Sequence, residues 1–126
     1  MTPIFNDVSS LPGFVKDLKR LSKKYRTLPE DLNLFVDVEM RLFHKLNIDN
    51  GGIVRISGLG VETPKVYKVL RFACRALKGT GSKSGMRITY SYDETQDTIV
   101  FIEMYFRGDK ENEDRKQVLD FLKSLT

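Results

Sequence analysis

Between Ser10 and Leu46 apolar residues recur every three or four positions, whereas between Lys65 and Arg107 they recur at every second one. This change of period separates a helical part from a strand part. A chain ordered that way builds an α+β domain rather than alternating β-α-β units. Leu11, Phe14, Val15, Leu18, Leu21 and Tyr25 form one stripe and predict a helix over about 10–26, with Pro12 in its first turn. Its other face carries Lys16, Lys19, Arg20, Lys23 and Lys24. Thr27-Leu28-Pro29-Glu30 reads as a capping box that opens a second helix. That helix runs to about Leu46 on a stripe of Phe35, Val38, Leu42 and Leu46, and Asn50-Gly51-Gly52 ends it. The short connection predicts an antiparallel helical hairpin.

Lys65–Arg75 reads as the first strand, with Val66, Leu70, Phe72 and Cys74 on one face and Tyr67, Arg71 and Arg75 on the other. Met86–Tyr92 sets Ile88, Tyr90 and Tyr92 against Arg87, Thr89 and Ser91. After the polar turn Asp93–Asp97, Thr98–Arg107 sets Val100, Ile102, Met104 and Phe106 against Phe101, Glu103, Tyr105 and Arg107. Three such strands make an antiparallel meander. Ile53–Ser57 is a short apolar segment of ambiguous type, and Pro3–Asn6 reads as a further short strand. A last helix follows at about 111–125, with Val118, Leu122 and Leu125 inward. The expectation is an N-terminal helical hairpin packed on a small twisted antiparallel sheet, with a C-terminal helix. The far sheet face must stay partly open, because buried unpaired guanidinium groups are too costly.

The 126 residues suffice for one domain, 1–126, with a hydrophobic fraction of 40% and a charged fraction of 30%. No apolar run approaches a bilayer-spanning length, and the N-terminus lacks the pattern of a secretory signal. A cytoplasmic protein without membrane contact is expected. Cys74 alone permits no internal disulfide, and His44 as the single histidine leaves few ligands for a metal. We expect neither metal nor cofactor. His44 reads as a surface or interface residue and Cys74 as a core residue. The charge is concentrated: residues 65–87 hold Lys65, Lys68, Arg71, Arg75, Lys78, Lys83 and Arg87 and no acid. Such a segment points to a polyanionic partner, nucleic acid first, with a merely solvated surface as the alternative.

Gly79-Thr80-Gly81-Ser82-Lys83-Ser84-Gly85 resembles a phosphate loop in composition only, because Ser82 stands where Gly must precede the Lys and a strand rather than a helix follows. It reads as a flexible hairpin loop, or as one that touches RNA phosphates through Lys83. Glu103 reads as a paired structural carboxylate, with a general base in an electropositive cleft as the alternative. RNA cleavage by its own 2′-hydroxyl needs a base, cations for the charged transition state and an acid for the leaving oxygen. Arginine supplies the second, lysine in a cationic environment the first and tyrosine the third. Arg87, Arg107 and neighbouring Lys, Arg and Tyr residues therefore form a face suited to cleaving RNA, or to binding it uncut.

The stretch Ser84-Gly85-Met86-Arg87-Ile88-Thr89-Tyr90, followed by Ile99–Phe106 and Arg107-Gly108-Asp109-Lys110, resembles the C-terminal half of RelE-type toxins of bacterial and archaeal toxin–antitoxin modules. The lysine-rich helical hairpin is similar too, and residues 49–64 look like an insertion relative to the smallest members. The resemblance implies a metal-independent, ribosome-dependent endoribonuclease that cuts mRNA and inhibits translation, and a cognate antitoxin protein that masks the basic face. It makes Arg87 the phosphate-binding arginine, Arg107 or Lys110 the basic residue after the last strand, and Lys78 or Lys83 the general base. Lys68, Arg71, Arg75 and Tyr105 would contact the nucleic acid. The histidine and the last-helix tyrosine that some relatives use have no counterpart; that helix offers only Phe121, which reads as core. The alternatives are a relative of the same fold that does not cut mRNA, gyrase-directed like the ParE branch or inactive, and an unrelated basic RNA-binding module.

Overall fold

A computed structural model describes residues 3–125. The elements in order are β1 (Asp7–Ser10), α1 (Pro12–Ser22), α2 (Leu28–Phe35), a π-helical turn (Val36–Met40), α3 (Arg41–Lys45), β2 (Ile53–Ile56), β3 (Lys65–Val69), β4 (Met86–Asp93), β5 (Thr98–Phe106) and α4 (Arg115–Ser124). One five-stranded sheet runs β1-β5-β4-β3-β2, antiparallel except that β1 pairs parallel with β5. The meander of β3, β4 and β5 is thus present, and the ambiguous segment at 53 is its fourth strand. The expected strand at Pro3–Asn6 lies later, at Asp7–Ser10, where Asp7 pairs with Thr98 and Ser10 with Phe101.

The helical layer and one sheet face enclose the main core, in which Phe14, Leu28, Met40, Ile88, Tyr90 and Ile99 are fully buried. The second helix keeps the expected span but not the expected stripe: Val38 and Leu46 are exposed while Met40 is buried. The π-helical turn explains this. Its wider i→i+5 closure inserts one residue and shifts the phase of everything after it. Val15 is also exposed, and in α4 Phe121 replaces Leu125 on the buried stripe. That helix begins later than its pattern suggested, because the Asp114 side chain accepts the Gln117 N–H at 3.2 Å and caps it there. It packs Val118, Phe121 and Leu122 on Val66 and Ile102, on the sheet face opposite the helical layer.

Strict alternation fails along β5. Thr89 pairs with Glu103 but Tyr90 pairs with Phe101, so Ile102 is an extra residue in a bulge. Phe101, Met104 and Phe106 therefore all reach the main core, whereas Val100 and Ile102 belong to the cluster under α4. Side chains satisfy the disturbed backbone: Asp17 accepts the Met104 N–H at 3.1 Å, and Gln117 donates to the Ile102 carbonyl at 3.1 Å. The bulge thus ties α1 and α4 to opposite faces of one strand.

The first strand of the meander stops at Val69, six residues earlier than its pattern. Leu70 and Arg71 both donate their N–H to the Gly52 carbonyl, which turns the chain out of the sheet. Phe72 then pairs with Lys83 in an isolated bridge. Val66 accordingly lies under α4, while Phe72 and Cys74 lie in the main core.

Candidate nucleic-acid interface

The sheet face under α4 gathers the polar residues. The register places Lys68 beside Thr89 and Thr89 beside Glu103, and it places Arg87 beside Tyr105. Cross-strand neighbours on one face stand about 5 Å apart, so these five side chains form one patch. Arg87 is half-buried and donates to the Leu70 carbonyl at 2.7 Å, at the point where β3 ends. That bond fixes the arginine stem and leaves further guanidinium donors for a ligand. Gly85 sets the start of this strand. Its φ of +87° suits glycine, and an added Cβ would meet the Phe106 ring at 3.0 Å.

Residues 107–114 fold back over the patch and form its wall. The buried Glu103 accepts from Lys110 and, at 2.8 Å, from the Asp114 N–H. Of its two readings, the paired structural carboxylate is the one the geometry shows. Lys110 also lies 5.0 Å from the centre of the Tyr105 ring. Glu113 reaches across to Lys68 at 2.8 Å. Burial pushes the Lys68 ammonium down, but its bond to Glu113 and the neighbouring Tyr105 outweigh this and hold its pKa above the ordinary value. Burial pushes Tyr105 up as well, against the opposing pull of Lys68, so its hydroxyl keeps its proton. Burial raises Glu113, and the Lys68 bond more than reverses this, leaving it low. Lys68 is therefore a cation here and no base.

Two hydroxyls in the patch are orphaned. Thr89 Oγ1 and Tyr105 OH are buried without a hydrogen-bond partner among the described residues; the Lys68 ammonium lies beside the phenol without closing a full bond to it. Buried hydroxyls are nearly always paired, with protein or with ordered water, so each of these two has capacity for one further partner.

Two of the expected nucleic-acid contacts lie elsewhere. Because β3 ends at Val69, Arg71 and Arg75 leave the Arg87 face and turn to the helical side. Arg75 bonds Asp31 through Nε at 2.7 Å and Glu30 through its terminal nitrogen at 2.7 Å, while its backbone N–H meets Asp31 at 3.1 Å. Arg71 lines a cleft of about 300 Å³ with Phe35, Val38 and Glu39 and donates to the Asn50 carbonyl at 3.4 Å. Lys78 and Lys83 are exposed in the loop between β3 and β4. Arg107 is exposed in the turn after β5, where its N–H bonds the Gly85 carbonyl at 2.8 Å. The structure thus brings together Lys68, Arg87, Tyr105 and Lys110, keeps Arg107 next to them in the chain and separates Arg71 and Arg75. Sequence reasoning missed Thr89 and Glu113. Thr89 shares Arg87's face by simple alternation, which was the signal available; Glu113 sits in an acidic run without a pattern.

His44 is not freely exposed, although it lines a cleft at the surface. It is half-buried among Phe43, Tyr67, Tyr90 and Tyr92 and bonds the Tyr90 hydroxyl at 2.7 Å. Cys74 is buried as expected. No group of three or more His, Cys, Asp or Glu side chains converges to hold a metal among the described residues. No helix among them is long and apolar enough to cross a membrane.

No protein-family model and no curated protein sequence matches the chain. Among solved structures it is remotely similar to the archaeal RelE–RelB complex from Pyrococcus horikoshii, at 17% identity and a TM-score of 0.47, over 81% of this chain and 94% of that one.

Proposed function

We propose that the chain is the toxin component of a toxin–antitoxin module, an endoribonuclease that cuts mRNA on the ribosome. The observation that carries this reading is the patch of Arg87 and Lys68 beside the orphaned hydroxyls of Thr89 and Tyr105. It combines phosphate-binding cations with protonated hydroxyls on one sheet face, and it lies on the strands that bear the RelE-like motif.

In the proposed reaction the 2′-oxygen attacks phosphorus, the bond to the 5′-oxygen breaks, and a 2′,3′-cyclic phosphate and a 5′-hydroxyl result. Arg87 would bind the non-bridging oxygens through two donors, where charge grows in the transition state. Lys68, held protonated, would add positive charge, and Arg107 or Lys110 would extend the phosphate contacts. Tyr105 would deliver its proton to the departing oxygen once its buried hydroxyl is uncovered, and Thr89, fully buried, would pack beneath the contact. Lys78 or Lys83, which the resemblance makes the general base, would approach from the exposed loop to take the 2′-proton. A cognate antitoxin would cover this face, and mRNA held by the ribosome would be the substrate.

One observation favours the alternative, a relative of this fold that does not cut mRNA. Glu113 and Glu103 already pair Lys68 and Lys110, so part of the positive charge is neutralised internally. Induced expression in bacteria separates the readings. The cleavage reading expects growth arrest with new mRNA ends, lost on Arg87→Ala and on Tyr105→Phe but kept on Arg75→Ala, and reversed by co-expressing the product of an adjacent small open reading frame. Arrest without new mRNA ends, or arrest unchanged by Arg87→Ala in a folded protein, would overturn it.

A further inference from the structure

On the helical side of the sheet, away from Arg87, a cleft of about 400 Å³ opens where β3 begins and β4 ends. Phe43, His44, Tyr67 and Tyr92 line it. Its rings pack edge to face: Phe43 lies at 80° to Tyr67 with ring centres 5.6 Å apart, and His44 lies at 77° to Tyr67 at 4.9 Å. Carboxylates of Asp49 and Glu94 line the same cleft, against the single ammonium of Lys65. Asp49 is anchored by the Gly51 N–H at 2.9 Å.

His44 does not contribute charge to this box. The fully buried Tyr90 hydroxyl and His44 Nε2 share a hydrogen bond of 2.7 Å. Burial first, then Lys45, hold the imidazole pKa down to about 4, against Asp97. Four rings with two carboxylates and one ammonium give the cleft an aromatic lining and a net negative charge. Such a lining attracts cations by their interaction with the ring faces and repels phosphate.

We propose that this cleft binds an organic cation, an ammonium or guanidinium group, seated against Phe43, Tyr67 and Tyr92 and balanced by Asp49 and Glu94. The group would belong either to a free polyamine or to a lysine or arginine side chain of a bound protein. The proposal does not depend on the RNA-cleaving reading, because the cleft lies on the other sheet face.

The test is an NMR titration of the full chain, following the His44 imidazole and the Phe43, Tyr67 and Tyr92 ring signals. The probes are tetramethylammonium, spermidine, N-acetyl-lysine amide and N-acetyl-arginine amide, at constant ionic strength, with AMP as the anionic comparison. Saturable shifts of these four residues are expected with the cations and none with AMP. Tighter binding of spermidine would assign the cleft to a polyamine, and tighter binding of the amino-acid amides to a protein side chain. Losing one ring face in Tyr67→Leu should weaken binding about tenfold. Glu94→Gln, an exposed change that does not threaten the fold, should weaken it about threefold. No saturable shift with any cation, saturation by AMP, or affinities unchanged in both variants would overturn the proposal.

Discussion

Replacing Asp31 by alanine should destabilise the protein by about 2–3 kcal/mol, although Asp31 lies far from the proposed site. Its carboxylate is buried, with 2% of the side chain exposed, and accepts three bonds: Thr27 Oγ1 at 2.6 Å, the Arg75 N–H at 3.1 Å and Arg75 Nε at 2.7 Å. Truncation leaves the hydroxyl and the backbone N–H without this acceptor in a half-buried place, at about 1 kcal/mol each. The Arg75 guanidinium is exposed and simply returns to water. Loss of the first-turn charge at the start of α2 adds a few tenths more, to about 0.5 kcal/mol. Asp31→Asn retains one carbonyl acceptor and should lose about half as much. Urea unfolding followed by far-ultraviolet circular dichroism measures both. The expected melting shift for Asp31→Ala is on the order of 10 °C. A change below about 0.5 kcal/mol would refute the reasoning that this carboxylate, rather than RNA, is the partner that holds the 70–76 segment.

Lys68→Ala should weaken binding to an RNA oligonucleotide and lower the salt slope by about 1, whereas Arg75→Ala should leave both unchanged; fluorescence anisotropy at several salt concentrations reads this. Glu113→Gln should tighten the same binding by a few-fold, because the ammonium then loses its carboxylate partner. Gly108→Ala would place a Cβ 2.6 Å from Phe106 Cε2 and should cost about 1–3 kcal/mol in the same unfolding assay. His44, lowered from 6.5 to about 4, gives stability that is complete above pH 6.5 and falls as the pH drops toward 4, since the unfolded chain takes up the proton first. The loss should reach about 2 kcal/mol after allowance for partial exposure, and His44→Gln should flatten that part of the stability profile.

The periods of the chain disclosed the helical hairpin, the three-stranded meander and the closing helix, because amphipathic stripes follow directly from which face is buried. They could not disclose the π-helical turn or the bulge at Ile102, each of which adds one residue and breaks the phase on which such reading depends. Val38 and Phe101 changed sides for that reason alone. Arg87 and Tyr105 were legible as one face because both lie within regular stretches of strand. Arg71 and Arg75 were misplaced because nothing in the local pattern marks the end of β3; the carbonyl of Gly52, nearly twenty residues away, does that. The pairing of Lys68 by Glu113 is likewise a contact across 45 residues that alternation cannot reveal. His44 is the clearest case, since its burial depends on rings from three separate elements.

RNA cleavage is the activity proposed for the Arg87 face. The most direct measurement adds purified protein to a reconstituted translation reaction and maps the mRNA ends by primer extension. New ends are expected that require the ribosome, that vanish with Arg87→Ala and that persist with Arg75→Ala. Intact mRNA alongside the wild-type protein, with translation proceeding normally, would contradict it.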